Sequence, residues 1–277
     1  MAYNRVDWES LNGAFRIVDK YHSHRAMPKN PLVRERRKRR TGETTLTQEQ
    51  VNLRQRVGNL TRLLMDNFCT GDWWVTFKLF EPVSRKEFKA GYDRMLAKLR
   101  REFAKRGHEL KYIAVQENLN GRGRMHGHII IPNIMPFSEL RKIMQRVWDL
   151  GDCHIKPYGG SAMDARRLAA YMTKEDAIGK AIREKAQLTA SIRKGLKVDG
   201  RAMKKLDAVI KPERSRICPS RNLVRTKPKK TVIHEAETYR EEIKPPRGYH
   251  IVKELSYNGW TVDGYPWQHA VFERDGT

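Results

Sequence analysis

The chain has little that would hold it in a membrane. No run of about 18 apolar residues occurs, the length a transmembrane helix requires. The first ten residues, MAYNRVDWES, contain no apolar core of the signal-peptide kind. Neither a basic amphipathic helix nor a lipidation motif is visible, so no membrane partner is expected. Cysteine is scarce: Cys69, Cys153 and Cys218 are odd in number, widely spaced and form no CxxC pair. That excludes a disulfide framework and a cysteine-rich zinc site, and a reduced, cytoplasmic setting is expected. No GxxxxGK[ST] occurs, so there is no recognisable Walker-type ATPase. Acidic residues are outnumbered, with 32 Asp and Glu against 56 Lys and Arg, for a formal charge of +24. Small neutral substrates give no reason for such a charge. A phosphate polymer does, because each neutralised phosphate releases counterions.

The 277 residues suggest about two domains, or one large core with appendages. Residues 1 to about 45 are polar and basic, with six basic residues among the seven from Arg34 to Arg40. They read either as a solvated arm or as a phosphate-contacting one. Thr47 and Gln50 form a capping-box pattern ahead of Leu53, Val57, Leu60, Leu64 and Phe68, which predicts a helix over about 47–68. WWVTFKLF at 73–80 reads as a strand. Ser84 and Glu87 cap a helix with an apolar stripe of Phe88, Tyr92, Met95, Leu99 and Phe103, closed by Gly107.

KYIAVQE at 111–117 and MHGHIII at 125–131 read as strands of an antiparallel hairpin around the loop NLNGRGR. A helix opens at Ser138 and ends at Gly151, a short strand follows at about 153–158, and a further helix runs from about Asp164 past 180. The order across 73–180 is strand, helix, strand, strand, helix, strand, helix. This predicts an α+β fold, an antiparallel sheet with helices close to the β-α-β-β-α-β ferredoxin-like unit. Residues 201–230 are strongly basic. In 249–273, Asn258-Gly259 and Asp263-Gly264 are turn signals between short β-like runs. Three segments are therefore expected: a basic arm and helix over 1–71, a catalytic segment over 72–185, and a basic C-terminal region over 186–277 that is in part disordered with a short β-rich end.

His126-Gly127-His128 carries the clearest chemistry. On a strand, positions i and i+2 share a face, so two imidazoles can bind one divalent cation. The pair alone is a weak signal; His22-Ser23-His24 has the same spacing in a polar segment without a strand pattern and is set aside. His126 and His128 differ because Ile129, Ile130 and Ile131 fix the strand, and the opposing strand ends in Gln116-Glu117, which brings a carboxylate near. Tyr171 lies in RRLAAYMTKE with Lys174 one turn on, expected on the same helix face. A half-buried tyrosine beside a solvated lysine is the plain reading; a phenol nucleophile flanked by a cation is the functional one.

Together, a carboxylate-ended strand, a basic glycine loop, an HxH strand and a helix with Tyr-x-x-Lys resemble the HUH endonucleases. The likeness is specifically to single-tyrosine rolling-circle replication initiators (Rep proteins) of phages and plasmids. WWVTFKLF is similar to their first conserved strand, RMHGHIII to the histidine motif and AAYMTK to the tyrosine motif. RSRICPSRNL at 214–223 resembles a Ser-Arg segment that follows the tyrosine helix in phage-type members. One departure is Gly127, where that family carries a bulky hydrophobic residue.

The resemblance implies a nickase in which His126, His128 and Glu117 hold Mg²⁺ or Mn²⁺, with zinc as a competitor. Tyr171 would form a 5′-phosphotyrosine link, and Lys174 would favour the phenolate or hold phosphate. Arg122, Arg124, Arg166 and Arg167 are candidates for DNA backbone contact. One of Trp73 and Trp74, on alternating faces, could stack an unpaired base. Single-stranded or hairpin origin DNA, a host helicase and a host polymerase are the implied partners, in the cytoplasm of a bacterial host. A single-tyrosine transposase or relaxase, and a non-catalytic basic nucleic-acid binder, remain open readings.

Overall fold

A computed structural model describes residues 3–22, 46–119, 124–194, 200–201, 216–233, 243–261 and 263–276. In chain order the elements are β1 (Tyr3–Glu9), β2 (Phe15–His22), α1 (Leu46–Asn67), β3 (Trp73–Phe77), α2 (Arg85–Ala104), β4 (Ile113–Glu117), β5 (His126–Ile131) and α3 (Phe137–Val147). They continue as β6 (Cys153–Pro157), α4 (Ala162–Thr173), α5 (Glu175–Arg193), β7 (Arg216–Pro219), β8 (Lys229–Ile233), β9 (Tyr249–Ile251), β10 (Tyr257–Trp260) and β11 (Pro266–Arg274). They sort into two compact units, Thr45–Leu223 and, separately, Met1–Thr44 with Val224–Thr277. The fold is α+β, with antiparallel sheets and helices.

In the first of these units the sheet order is β6-β3-β5-β4-β7. β5 returns between β3 and β4 and pairs antiparallel with both, so the hairpin strand splits the β-α-β crossover. Period-two alternation divides the residues of β5. Ile129 and Ile131 join Val75, Phe77 and Ala114 in a core filled by Phe88, Tyr92, Met95, Leu99 and Phe103 of α2 and by Leu140, Ile143 and Met144 of α3. His126 and His128 fall on the opposite face by the same alternation. Ser84 caps α2 through its side-chain oxygen, which accepts from Glu87 N–H at 3.2 Å. Each large apolar side chain buried in this core contributes about 1.5–3 kcal/mol.

Several expected boundaries are corrected. β3 stops at Phe77, three residues short of the expected strand. α3 runs from Phe137 to Val147 and ends before Gly151. α4 starts at Ala162, because Ser161 and Asp164 form a reciprocal capping box, and it stops at Thr173. Lys174 adopts the left-handed conformation (φ 55°, ψ 40°), and α5 begins one residue later. The expected helix through 180 is thus two helices, and Lys174 is not on the helix face of Tyr171.

The second unit holds the sheet β10-β11-β2-β1-β8, with β9 also on β11. Residues 3–22 were expected to belong to a polar arm. They form two strands because Tyr3, Trp8, Phe15 and Ile17 are buried between charged neighbours, a pattern too diluted to stand out in the sequence. His22 consequently ends a strand and stacks on Tyr265 at 3.7 Å between ring centroids. Asn258-Gly259 lies inside β10 and makes no turn, whereas Gly264 (φ 77°) does sit in one. The Arg34–Arg40 cluster and Arg122 lie outside the described residues, as does 202–215 of the basic segment.

Candidate metal and nucleophile site

The hairpin and α4 bring four of the singled-out residues together. Glu117 and His126 are directly opposite in the β4–β5 register, and Val115 faces His128. The ligand atoms of Glu117, His126 and His128 all lie within 4.8 Å of one another, so the group could hold a metal ion. From α4, the Tyr171 hydroxyl reaches His128 Nε2 at 2.9 Å. Lys174 Nζ lies 3.5 Å from Glu117 Oε2.

Hydrogen bonds fix the imidazoles. His126 Nδ1 lies 3.0 Å from the Arg124 carbonyl, which can only accept, so Nδ1 carries the hydrogen. Nε2 is then turned to Glu117 Oε2, at 3.4 Å. Asn118, itself at φ 57°, donates its side-chain N–H to the same carbonyl at 3.0 Å and closes the loop around it. His128 Nδ1 sits 3.0 Å from Thr76 Oγ1 on β3. The indole of Trp74 lies parallel to the His128 ring, with centroids 5.1 Å apart and planes 8° apart, and the Tyr171 ring stands edge-on to Trp74.

The donor set fits a cation. Glu117 Oε1 is buried and accepts no hydrogen bond among the described residues. Burial pushes the Glu117 carboxyl up, but the hydrogen bond from His126 and the charges of Lys174, His126 and His128 outweigh it and hold the group below its usual range. The hydrogen bond to Glu117 raises His126 in turn. A positive charge between these side chains is therefore stabilised, and a proton on His126 supplies it when nothing else does. His128 is different: burial pulls it down to about 4, so it is neutral and able to ligate at pH 7.

That value carries a sign. The folded state disfavours protonated His128, so the protein loses stability as pH falls from the imidazole's ordinary 6.5 toward 4. His126 acts oppositely, contributing stability that is full below 6.5 and fades as pH rises through its raised value. The His128 displacement is the larger. In metal-free protein, the thermal midpoint should fall between pH 7 and 5, and His128→Gln should flatten that fall. An equal fall in the variant would contradict the assignment.

Gly127 explains its own departure from the resembled pattern. A Cβ there would stand 2.4 Å from Cε2 of Tyr92, whose ring fills the space, and the Tyr92 hydroxyl donates to the His128 carbonyl at 2.8 Å. Gly127→Ala should cost about 1–3 kcal/mol by overpacking. Tyr92→Leu in the same chain should return part of that loss, read from denaturant midpoints.

Other expected residues lie elsewhere in the pattern of contacts. The Arg124 guanidinium donates to the carbonyls of Leu79 and Phe80 at 2.5 and 2.9 Å, tying the hairpin to the end of β3. Arg166 forms a bidentate pair with Glu175 at 2.6 and 2.9 Å. Arg167 is exposed, with no ion pair among the described residues. Lys174 was expected to favour the phenolate. Its ammonium is instead committed to Glu117, and Tyr171 is pushed up, first by burial and then by the Glu117 charge. Tyr158, the alternative tyrosine, is buried. Thr76 and Tyr92 escaped the sequence reading; strand alternation and hairpin register together could have placed Thr76 beside His128, but nothing local marks Tyr92.

Residues 72–176 match a family model for the replication-associated protein ORF2 and its relatives. The match covers the sheet, the histidine hairpin and Tyr171, and it supports a Rep-type replication protein that binds DNA. No curated protein and no solved structure matches the chain. Among the described residues, no helix is long and apolar enough to cross a membrane.

Proposed function

We propose that this protein nicks and rejoins one DNA strand at a specific site to start rolling-circle replication, through a 5′-phosphotyrosine at Tyr171. The observation that carries the reading is the 2.9 Å approach of the Tyr171 hydroxyl to His128, inside the Glu117–His126–His128 group. A half-exposed phenol is delivered from one rigid helix to a donor set on a hairpin, which is the mounting an in-line attack requires. The endonuclease segment is assigned to 72–185.

Glu117, His126 and His128 would hold Mg²⁺ or Mn²⁺, with zinc as a competitor, and the bound ion would supply positive charge to the scissile phosphodiester. The Tyr171 oxygen bonds to phosphorus while the bond from phosphorus to the 3′-oxygen breaks. The phenol gives up one proton and the 3′-oxygen gains one, so the count is unchanged. The new ester keeps the bond energy for rejoining. Lys174 acts through Glu117, holding the carboxylate ionised, and its left-handed backbone, costing about 1–2 kcal/mol for a side chain, is the strain that puts it there. Trp74 holds the His128 ring flat, and Thr76 fixes its tautomer.

Arg167 is the exposed cation of α4 best placed for phosphate; Arg122, Arg124 and Arg166 complete the proposed DNA contacts. Without an ATPase motif of its own, the protein relies on a host helicase for strand separation and a host polymerase for extension, in the bacterial cytoplasm. Incubation with a labelled single-stranded origin oligonucleotide and millimolar Mn²⁺ should give a denaturation-resistant protein–DNA adduct. Tight binding with no adduct on any origin sequence would return the chain to the class of non-catalytic binders.

A further inference from the structure

The β1–β2–β11 sheet of the second unit carries a cleft that the nickase reading does not use. It encloses about 610 Å³ and is lined by Arg5, Arg16, Lys20 and Lys244 over an apolar floor that includes Val18 and Phe272. Cross-strand register explains the clustering. Lys20 is directly opposite Arg5 on one side and Gln268 on the other, and Arg16 is opposite Phe272, so these side chains share one face. None of the lining residues is acidic.

The cations are unequally satisfied. Arg5 is partly neutralised, donating to both oxygens of Asp7 at 2.7 and 2.9 Å. Arg16 has no ion pair among the described residues, although Glu9 is its register partner, and its Nε is buried without an acceptor. A guanidinium held half-buried without a counter-charge is costly unless an anion completes it. Trp260 stands on the same face, opposite Pro266 and therefore one residue pair along β11 from Gln268, and is 60 % exposed. Cations over an apolar floor with an exposed indole alongside suit a sugar–phosphate chain with unpaired bases.

We propose that this cleft is a second DNA-binding site, one that takes the backbone of single-stranded DNA on Arg16, Lys20 and Lys244 and stacks a base on Trp260. The choice of DNA over another phosphate ligand rests on the reading of the chain as a DNA-replication protein.

The test uses the full chain in EDTA, so that no strand is cut, with a labelled single-stranded oligonucleotide and a salt titration. Each phosphate neutralised contributes about −0.7 to the log–log slope on single strands, so Arg16→Gln with Lys20→Gln and Lys244→Gln should flatten it by about 2 and weaken binding roughly hundred-fold at 0.1 M salt. Arg16→Lys with Lys20→Arg and Lys244→Arg keeps the charges and should keep the slope. Should the triple Gln variant lose its thermal transition, Lys20→Gln and Lys244→Gln are read singly, each flattening the slope by about 0.7. Trp260→Ala should weaken binding roughly ten-fold with the slope intact. An unchanged slope in the Gln variants overturns the proposal. So does stabilisation of the parent protein by millimolar inorganic phosphate that the Gln variant loses while its DNA slope stays, which would make the cleft a small-anion site. Adduct formation is scored separately: a flattened slope without any adduct removes the nickase and leaves the cleft, and an adduct with an unchanged slope does the reverse.

Discussion

Tyr171→Phe should fold and bind origin DNA as the parent does, yet form no covalent adduct and cut no strand. The substitution removes one oxygen from a ring that is 49 % exposed, so packing is nearly untouched. The lost hydrogen bond to His128 is worth about 0.5–1.5 kcal/mol, and the shift in denaturant midpoint should stay within that. The chemistry has no such tolerance. Without the phenol oxygen there is no atom to bond to phosphorus, and cleavage should fall by at least about a thousand-fold, below detection in a gel assay. In the parent, mass spectrometry should place the adduct on the tryptic peptide Leu168–Lys174. The protein has ten tyrosines, and Tyr158 was the nearest competitor in sequence. At 6 % exposure it has no open approach for a phosphodiester. An adduct mapped to any other tyrosine would move the nucleophile while keeping the enzyme class. Full cleavage by the Phe variant would end the nickase reading.

His126→Ala and His128→Ala should each abolish nicking at millimolar Mn²⁺ or Mg²⁺ while DNA affinity falls far less. Two nitrogens and one oxygen form the donor set; removing either nitrogen leaves two donors, too few to hold a divalent ion against water. Affinity is carried by a chain with 24 excess positive charges, and a neutral imidazole adds nothing to it. The two variants should differ in stability. His126 is at the mouth of the site, whereas His128 is buried between Trp74, Thr76 and Tyr171, and truncating it leaves a cavity. His128→Ala should therefore melt lower than His126→Ala. Undiminished cleavage by the double variant, or by the parent in EDTA, would sink the metal assignment.

What could be read from the sequence was whatever repeats within a few residues. The stripe from Phe88 to Phe103, the alternation around His126 and His128, and the apolar run Ile129–Ile131 each announce an element and the face it buries. From these the sheet, its helices and the meeting of the hairpin with the tyrosine helix follow. Lys174 shows the limit. Its spacing from Tyr171 reads as one helical turn, but the left-handed backbone there is set by where the chain must go next. Arg124 shows another: a basic residue in a glycine loop reads as a DNA contact, and only the fold reveals the carbonyls of Leu79 and Phe80 within its reach. The second unit was hidden for a different reason. Strands β1 and β2 find β8 and β11 more than 200 residues away, and no local pattern encodes such pairing.

That distant pairing sets an order of events during synthesis. Every strand of the β6-β3-β5-β4-β7 sheet has been made once Pro219 is in place, so the catalytic unit can close while the rest of the chain is still emerging. The β1–β2 hairpin is made first of all and is marginal alone in water. It must wait for β8 and then β11, the last strand produced, before its buried tryptophan and phenylalanine are covered. A ribosome that stalls after residue 223 would thus release a protein with a finished site and an unfinished second unit, whose two waiting strands present open edges to any neighbour that can pair with them.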